Sequence, residues 1–436
     1  MSPLERFLKK WGVGGLRRSF ERKRMRREQR RSLRSEQVPM QVPLQAAAHI
    51  LAGPVHAKRL LREHWPSSMP LRTYRIPQPP VGRITVVTDS INAGSLYGGV
   101  GTAMILAGML CERSGRTLRL VTRTEPANPS NLGRILGTYG VVLHHDPQFA
   151  FAPLAGDNAS IDIVDDELFI TTSWWTTAAL RESVPREAIV YLLQEDERMF
   201  YPHGDERLRC EQLLSCDDIR FVVNSRLLFD HLAASGLANV ARRGTFFEPA
   251  FPRSLFRPRE KTGKKRFMFY ARPNNVRNLF WFGLEVIDRL IDEAIIDGRE
   301  WELILIGKDI PDIVFDREIE VTRLENLNWN EYAELVGTVD LALCLMYTPH
   351  PSYPPLDLAA SGAVVVTNEF LNKTELSRYC ANIISARLEP QPLIDALREG
   401  VALSGNLRVR AENLRNAGLG ADWRQALAPV VEQLVG

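Results

Sequence analysis

Apolar residues in this chain gather in short continuous blocks, separated by stretches in which they recur every third or fourth position. The blocks are too short for buried helices and carry many β-branched residues, so they predict strands, with helices between them. A first series falls at residues 84–87, 118–121, 141–143, 168–171, 189–193 and 221–223. A second falls at 267–270, 303–306, 341–345, 363–367 and 383–384. The clearest helix places Trp281, Leu284, Ile287, Leu290, Ile291 and Ala294 on one face and stops at Gly298. Strands alternating with helices predict an α/β chain with two doubly wound parallel sheets. The polar run 257–265, RPREKTGKK, reads as the linker between them. The expected order is a leader at 1–36, an accessory helix (about 44–64) with a Pro-rich linker at 37–82, a first Rossmann-like domain at 83–256 and a second at 266–404. Helices at 405–436 follow, as candidates for packing back on the first domain.

Charge refines this picture at one end. Residues 1–36 hold 13 Lys and Arg against 4 Glu, a local charge of +9 in a chain whose net charge is +3. Leu4, Phe7, Leu8 and Trp11 recur at helical spacing within that basic stretch. Such a leader suits an anionic membrane surface, at about 1 kcal/mol per basic residue close to it. A solvated tail and an RNA-binding arm are the alternatives. Since the positive field is confined to the leader, no nucleic-acid partner is expected of the folded body. No secretory signal or membrane span is expected. Five scattered cysteines without a C-x-x-C pair fit a reducing, cytosolic setting.

Candidate chemistry clusters just past the predicted strands, where open parallel sheets bind ligands. After the first strand, Gly98, Gly99 and Gly101 open a helix and let a backbone come close to an anion or sugar; a plain turn is the alternative. The loop lacks the G-x-G-x-x-G pattern, and no acidic residue ends the next strand, so a nicotinamide site is not expected. Trp174 and Trp175 follow one strand, with one of the two expected in the core. Gln194, Glu195, Glu197 and Tyr201 follow the next, a set suited to a polyhydroxylated ligand and to proton transfer.

In the second half, Arg272, Arg277 and Asn278 flank a turn that opens a helix, and two guanidiniums there would clamp a diphosphate. Gly307 and Lys308 end the next strand. The stretch 346–368 reads strand, Pro-rich turn, helix, Gly, strand. It contributes His350, N–H groups near Ser352 and Tyr353, and Asp357 one turn into the helix.

These residues resemble a family. The Gly-Gly-Val-Gly loop, Arg272 with Arg277, and the helix Asp357-Leu358-Ala359-Ala360-Ser361-Gly362 are similar to a GT-B glycosyltransferase of the retaining group that uses nucleotide sugars. The segments FYARPNNVRN, QEDERMFYPHG, SWWT and PHPSYPPLD resemble bacterial dTDP-rhamnosyl transferases of rhamnan, S-layer glycan and O-antigen synthesis. The likeness spans residues 84–403. It implies transfer of L-rhamnose from dTDP-rhamnose to a glycan or lipid-linked glycan, with retention. The arginine pair and helix dipole leave no need for a metal or other cofactor, and the basic leader, outside the likeness, suits the inner face of the membrane. The likeness assigns the diphosphate to Arg272 and Arg277, helped by Asn278, Gly307, Lys308, Ser352 and Tyr353. The ribose falls to Asp357, catalysis to Glu195, Glu197 and His350, and the acceptor side to Gly98, Gly99, Gly101, Trp174, Trp175, Gln194 and Tyr201. This chain departs from the family in five places, one being Asp196 where the family usually keeps an aromatic residue. Pro349 stands where the broader group keeps a Glu, Asp357 replaces a Glu, Glu195 replaces an Asp and Arg277 a Lys. A nucleotide-sugar epimerase of the same fold and a non-catalytic glycan-binding subunit are the competing readings.

Overall fold

The computed structural model describes residues 55–92, 98–154 and 160–435. The basic leader and most of the predicted accessory helix lie outside these residues. Contacts divide the chain into two units, Met1–His64 and Trp65–Gly436. Of the first, the described part is helix α1 (Ala57–His64), whose residues are all exposed. Among the described residues no helix is long and apolar enough to cross a membrane.

The second unit holds two parallel sheets. The first consists of β2 (Arg83–Thr88), β3 (Thr117–Thr122), β4 (Gln148–Phe151), β6 (Glu167–Thr171), β7 (Ile189–Leu193), β8 (Arg220–Asn224) and β9 (Gly244–Phe247), in the order β4-β3-β2-β6-β7-β8-β9. The second consists of β10 (Lys265–Ala271), β11 (Trp301–Gly307), β12 (Glu320–Glu325), β13 (Leu341–Cys344), β14 (Val364–Asn368) and β15 (Ile383–Ala386), in the order β12-β11-β10-β13-β14-β15. Every residue of β2, β6, β7, β13 and β14 is buried, as expected of central strands covered on both faces. In the first sheet the winding reverses between β2 and β6, and in the second between β10 and β13. Those two switch points are where ligands enter folds of this kind.

Several elements differ from the sequence expectation. Residues 141–143 form no strand: Val141 tucks against Gly108 of helix α2 (Gly99–Ser114), Val142 is exposed, and the edge strand is β4 instead. Half of the expected linker is structured, because β1 (Arg72–Arg75) pairs with β5 (Ser160–Ile163) and Leu71 enters the first core. Edge strands β9 and β12 were hidden by their mixed polarity. Helix α8 (Phe280–Asp292) buries Phe280, Gly283, Val286, Ile287, Leu290 and Ile291, a face turned away from Trp281, which is exposed. Ala294 lies beyond its end at φ 54°. The last helix, α13 (Trp423–Val435), places Trp423, Leu427, Val430 and Val431 in the core under α2.

Toward the amino ends of the first sheet, Arg119 is 2% exposed and donates to Thr85, Asp162 and Glu167. Arg83 joins the same two carboxylates. Removing Arg119 leaves Arg83 as the one guanidinium on both carboxylates and takes buried donors from Thr85 and Glu167. Arg119→Ala is therefore expected to cost about 3–5 kcal/mol of stability, read by urea denaturation with an unchanged far-UV spectrum. A loss below ~1 kcal/mol would show that water replaces the guanidinium.

Candidate functional site

The carboxyl ends of the two sheets face each other, and side chains from both cross between them. Tyr353 is the first residue of helix α10 (Tyr353–Ala360) in the second sheet's domain. Its hydroxyl lies 2.9 Å from Thr102 Oγ1 and accepts from Asn224 Nδ2 at 2.9 Å, both in the first domain. Gly98, at φ 78°, caps α2 beside the Tyr353 ring, and a Cβ there would come within 3.9 Å of it. Gln194 donates to Gly99 O at 2.7 Å. Expected ligand contacts at Tyr353 and Gly98 are thus in part contacts between domains, while Gly99 meets Gln194 within the first domain. Gly101 is buried inside the first turn of α2, so its backbone is not offered to a ligand.

At the first switch point, Trp175 donates its indole N–H to Asp89 Oδ2 at 2.9 Å, and its ring is partly exposed. Trp174 is a core residue, 4% exposed, its indole spent on the hydroxyl of half-buried Tyr201 at 2.9 Å. Glu197 also leaves the expected catalytic set. It is buried and accepts the N–H of Trp174 at 2.8 Å, at the start of helix α4 (Trp174–Arg181). Burial pushes its carboxyl up to about 8, against that N–H bond and the influence of the Tyr191 hydroxyl. Asp196 is held down at about 2 by His231 and Arg198, against its own burial, and forms a buried structural pair.

Glu195, by contrast, crosses to the second domain. Its Oε2 accepts from Thr348 Oγ1 at 2.5 Å, and its Oε1 lies 3.5 Å from Arg277 Nη1. Burial raises its carboxyl, while Arg277 and Thr348 pull it back. Arg277 stacks on Phe200, 4.1 Å from the ring centre, and its carbonyl accepts from Tyr347 N at 2.7 Å. Both contacts fix the guanidinium at the switch point between β10 and β13. Arg272 is half-buried on the same turn. Asn278 is fully buried, with Nδ2 on Leu345 O at 3.5 Å and Oδ1 without a partner, so its amide braces the turn. Gly307 is required by packing: a Cβ would sit 1.8 Å from Ala271 O. Lys308 is exposed at the outer rim.

The turn before α10 is unusual. Ser352 adopts φ 69°, its N–H donates to His350 Nδ1 at 3.0 Å, and its Oγ is buried without a partner. Pro354 and Pro355 have no N–H, so the helix start offers an anion little more than the N–H of Tyr353. The expected row of donors is reduced to that group and the Ser352 hydroxyl. His350 is 2% exposed and held neutral, its pKa lowered to about 3 by burial with help from Lys373 and Arg277. Its Nε2 is buried and unpartnered. Asp357 accepts from Tyr332 Oη at 3.2 Å, and its Oδ1 is buried without a partner. Burial raises its carboxyl far above the usual range.

Sequence reasoning missed Lys373. It is 1% exposed on the loop after β14 and donates to Met346 O at 3.1 Å. Nothing in NEFLNKTEL marks it, since a lone Lys in a polar loop is ordinarily a solvated one. Asp89, Thr102, Asn224 and Thr348 were missed for the same reason. Among the described residues no group of His, Cys, Asp or Glu is arranged to hold a metal.

Glu197 supplies a test of this geometry. Its folded pKa lies above its unfolded one, so the native state keeps a proton that the unfolded state releases, and stability falls as pH rises from about 4.5 to about 8. Glu197→Gln should remove that slope. The variant is expected to gain on the order of a few kcal/mol over the native protein at pH 8.5 and little at pH 4.5, by denaturant midpoints. A gain independent of pH would mean that Glu197 is ionised in the fold.

Two family models match in order. "WsaF, N-terminal domain" covers residues 83–217 and "WsaF, C-terminal domain" covers residues 265–398. The chain is also similar to an O-antigen biosynthesis protein, RfbC, of Myxococcus xanthus, at 29% identity over 341 residues. That match takes in 76% of this chain but 25% of the relative, so the chain spans a quarter of that protein's length. Among solved structures it resembles WaaG, a glycosyltransferase involved in lipopolysaccharide biosynthesis, with a TM-score of 0.54 at 12% identity over 82% of this chain and 100% of the other. It also resembles Anabaena HepE in complex with UDP and glucose, with a TM-score of 0.52 at 11% identity over 80% and 98% of the two chains.

Proposed function

The chain belongs to the WsaF family, carrying both of its domains, and is a glycosyltransferase of the GT-B fold; on that premise we propose that it moves L-rhamnose from dTDP-rhamnose onto a growing bacterial polysaccharide, with retention of configuration. The observation that carries this reading is the set of buried, unpaired polar atoms around α10. Arg277 Nη1, Ser352 Oγ, His350 Nε2 and Asp357 Oδ1 all lack hydrogen-bond partners, beside the switch point of the second sheet. Leaving buried polar atoms unsatisfied costs about 1–3 kcal/mol each, which a ligand bearing phosphate and hydroxyl oxygens would recover.

Arg277, Arg272, the Ser352 hydroxyl and the Tyr353 N–H take the diphosphate. Asp357 Oδ1 takes a ribose hydroxyl. The acceptor lies on the first domain, over Trp175, Asp89 and Gln194. Its hydroxyl oxygen bonds to the anomeric carbon from the face that the diphosphate leaves, and the departing phosphate oxygen takes its proton. Two guanidiniums stabilise the charge that develops on the leaving group, so a metal ion has no assigned task. The neutral His350, with its free N–H, donates to the sugar or to a phosphate oxygen and does not act as a base. The basic leader brings the enzyme to an anionic membrane surface, where lipid-linked acceptors reside. HepE supports the donor class, having been crystallised on a similar fold with UDP and glucose. RfbC supports the pathway through its part in O-antigen biosynthesis.

Titration of the purified protein with dTDP-rhamnose, UDP-glucose and GDP-mannose tests the reading. The dTDP sugar should bind tightest, and Arg272→Ala should weaken it at least tenfold. Asp357→Ala should weaken it severalfold while leaving binding of inorganic pyrophosphate unchanged. Equal binding by Arg272→Ala would remove the diphosphate assignment, and preference for another sugar nucleotide would replace rhamnose.

A further inference from the structure

Lys373 has no structural need for its charge. A buried ammonium is costly, and a carbonyl 3.1 Å away satisfies one of its three donors without neutralising it. Burial pushes its pKa down to about 7, and Glu195 is the group that pulls it back up. The remaining charges around it are Arg277, which with Lys373 also disfavours charge on His350, and His350 itself, held neutral. Glu195 thus faces two cations. It engages Arg277 at 3.5 Å, longer than a good ionic hydrogen bond, and Nη1 of that arginine has no hydrogen-bond partner among the described residues. Glu195 belongs to the first domain, while Arg277, Thr348 and Lys373 belong to the second. When Lys373 is protonated the cluster therefore carries one positive charge in excess, in a place where the prolines of α10 have removed backbone donors.

We propose that Lys373 is a further cation for the donor's diphosphate, beside Arg277, and that Glu195 holds the place of that anion until the donor arrives. The inference rests on the donor site assigned above. A diphosphate entering at the β10–β13 switch point displaces Glu195 from Arg277, and Lys373 is the remaining cation in reach of both anions. Donor binding and the contact between domains then compete for one guanidinium, so the carboxylate is freed toward the acceptor side only when the donor is in place.

The full-length protein is titrated calorimetrically with uridine, thymidine and guanosine diphosphates, and the tightest binder is carried forward with its nucleoside as control. Lys373→Met is expected to weaken the diphosphate at least tenfold and the nucleoside less than twofold. Lys373→Arg should restore most of the affinity. Glu195→Gln, which removes the competitor, should tighten the diphosphate about three- to tenfold, a gain that misfolding cannot produce. If the native protein binds none of the three diphosphates, the donor site itself is wrong. If it binds one, and Arg277→Ala loses it while Lys373→Met keeps it, the donor site stands and the role of Lys373 is overturned. Should Lys373→Met fail to fold, Glu195→Gln decides: unchanged or weaker binding overturns the proposal.

Discussion

The Tyr353 hydroxyl is the contact on which this arrangement turns. By meeting Thr102 and Asn224, it fixes the start of α10 against the carboxyl end of the first sheet. Each parallel sheet presents a switch point, but neither alone gathers enough groups for a two-substrate reaction. Joined at Tyr353, they bring Glu195 to Thr348 and Arg277, and the cleft becomes one electrostatic unit. Two prolines follow Tyr353 and remove donors that most helix starts would offer an anion. On the proposed reading side-chain cations take over that work, half-buried Arg277 and buried Lys373 standing beside the turn that Tyr353 anchors.

Burial sets the protonation of the site more than pairing does. His350 is kept neutral, Asp357 is pushed toward its protonated form, and Lys373 is brought near neutrality. In each case loss of solvent is the largest cause. A ligand that carries charge and hydrogen-bonding oxygens into this space would change all three. That is how a donor can prepare the cleft for an acceptor without a large movement of the backbone.

Much of the fold was legible because buried parallel strands are almost wholly apolar. The blocks at 189–193 and 341–345 could be read without knowing their neighbours. Edge strands were not legible, since β4 and β12 mix exposed and half-buried positions without alternation and β9 is only 4 residues long. In the helix at 280–292 Ile287, Leu290 and Ile291 were read on the buried face, and Trp281 was misplaced there because it looks like a core residue in sequence and is exposed in the fold. Among site residues, Arg277, Glu195, Ser352 and Asp357 stood out because each follows a strand end within a dense polar motif. Trp174, Glu197 and Asn278 shared those motifs and proved to brace them, a distinction that depends on which way a side chain turns. Lys373 carries no motif at all, and Thr348 lies in the stretch at 346–368 without standing out from it. Their placement is decided by packing between segments far apart in the chain.

The central claim is that the donor's diphosphate lies at the β10–β13 switch point, against Arg277 and the start of α10. A crystal structure with the preferred nucleoside diphosphate bound tests this directly. The phosphates are expected within hydrogen-bond distance of Arg277, Ser352 Oγ and Tyr353 N, with a ribose hydroxyl on Asp357 Oδ1 and Glu195 withdrawn from Arg277. Phosphates found instead on the Gly98–Gly99 start of α2, with the Glu195–Arg277 pair intact, would contradict the account.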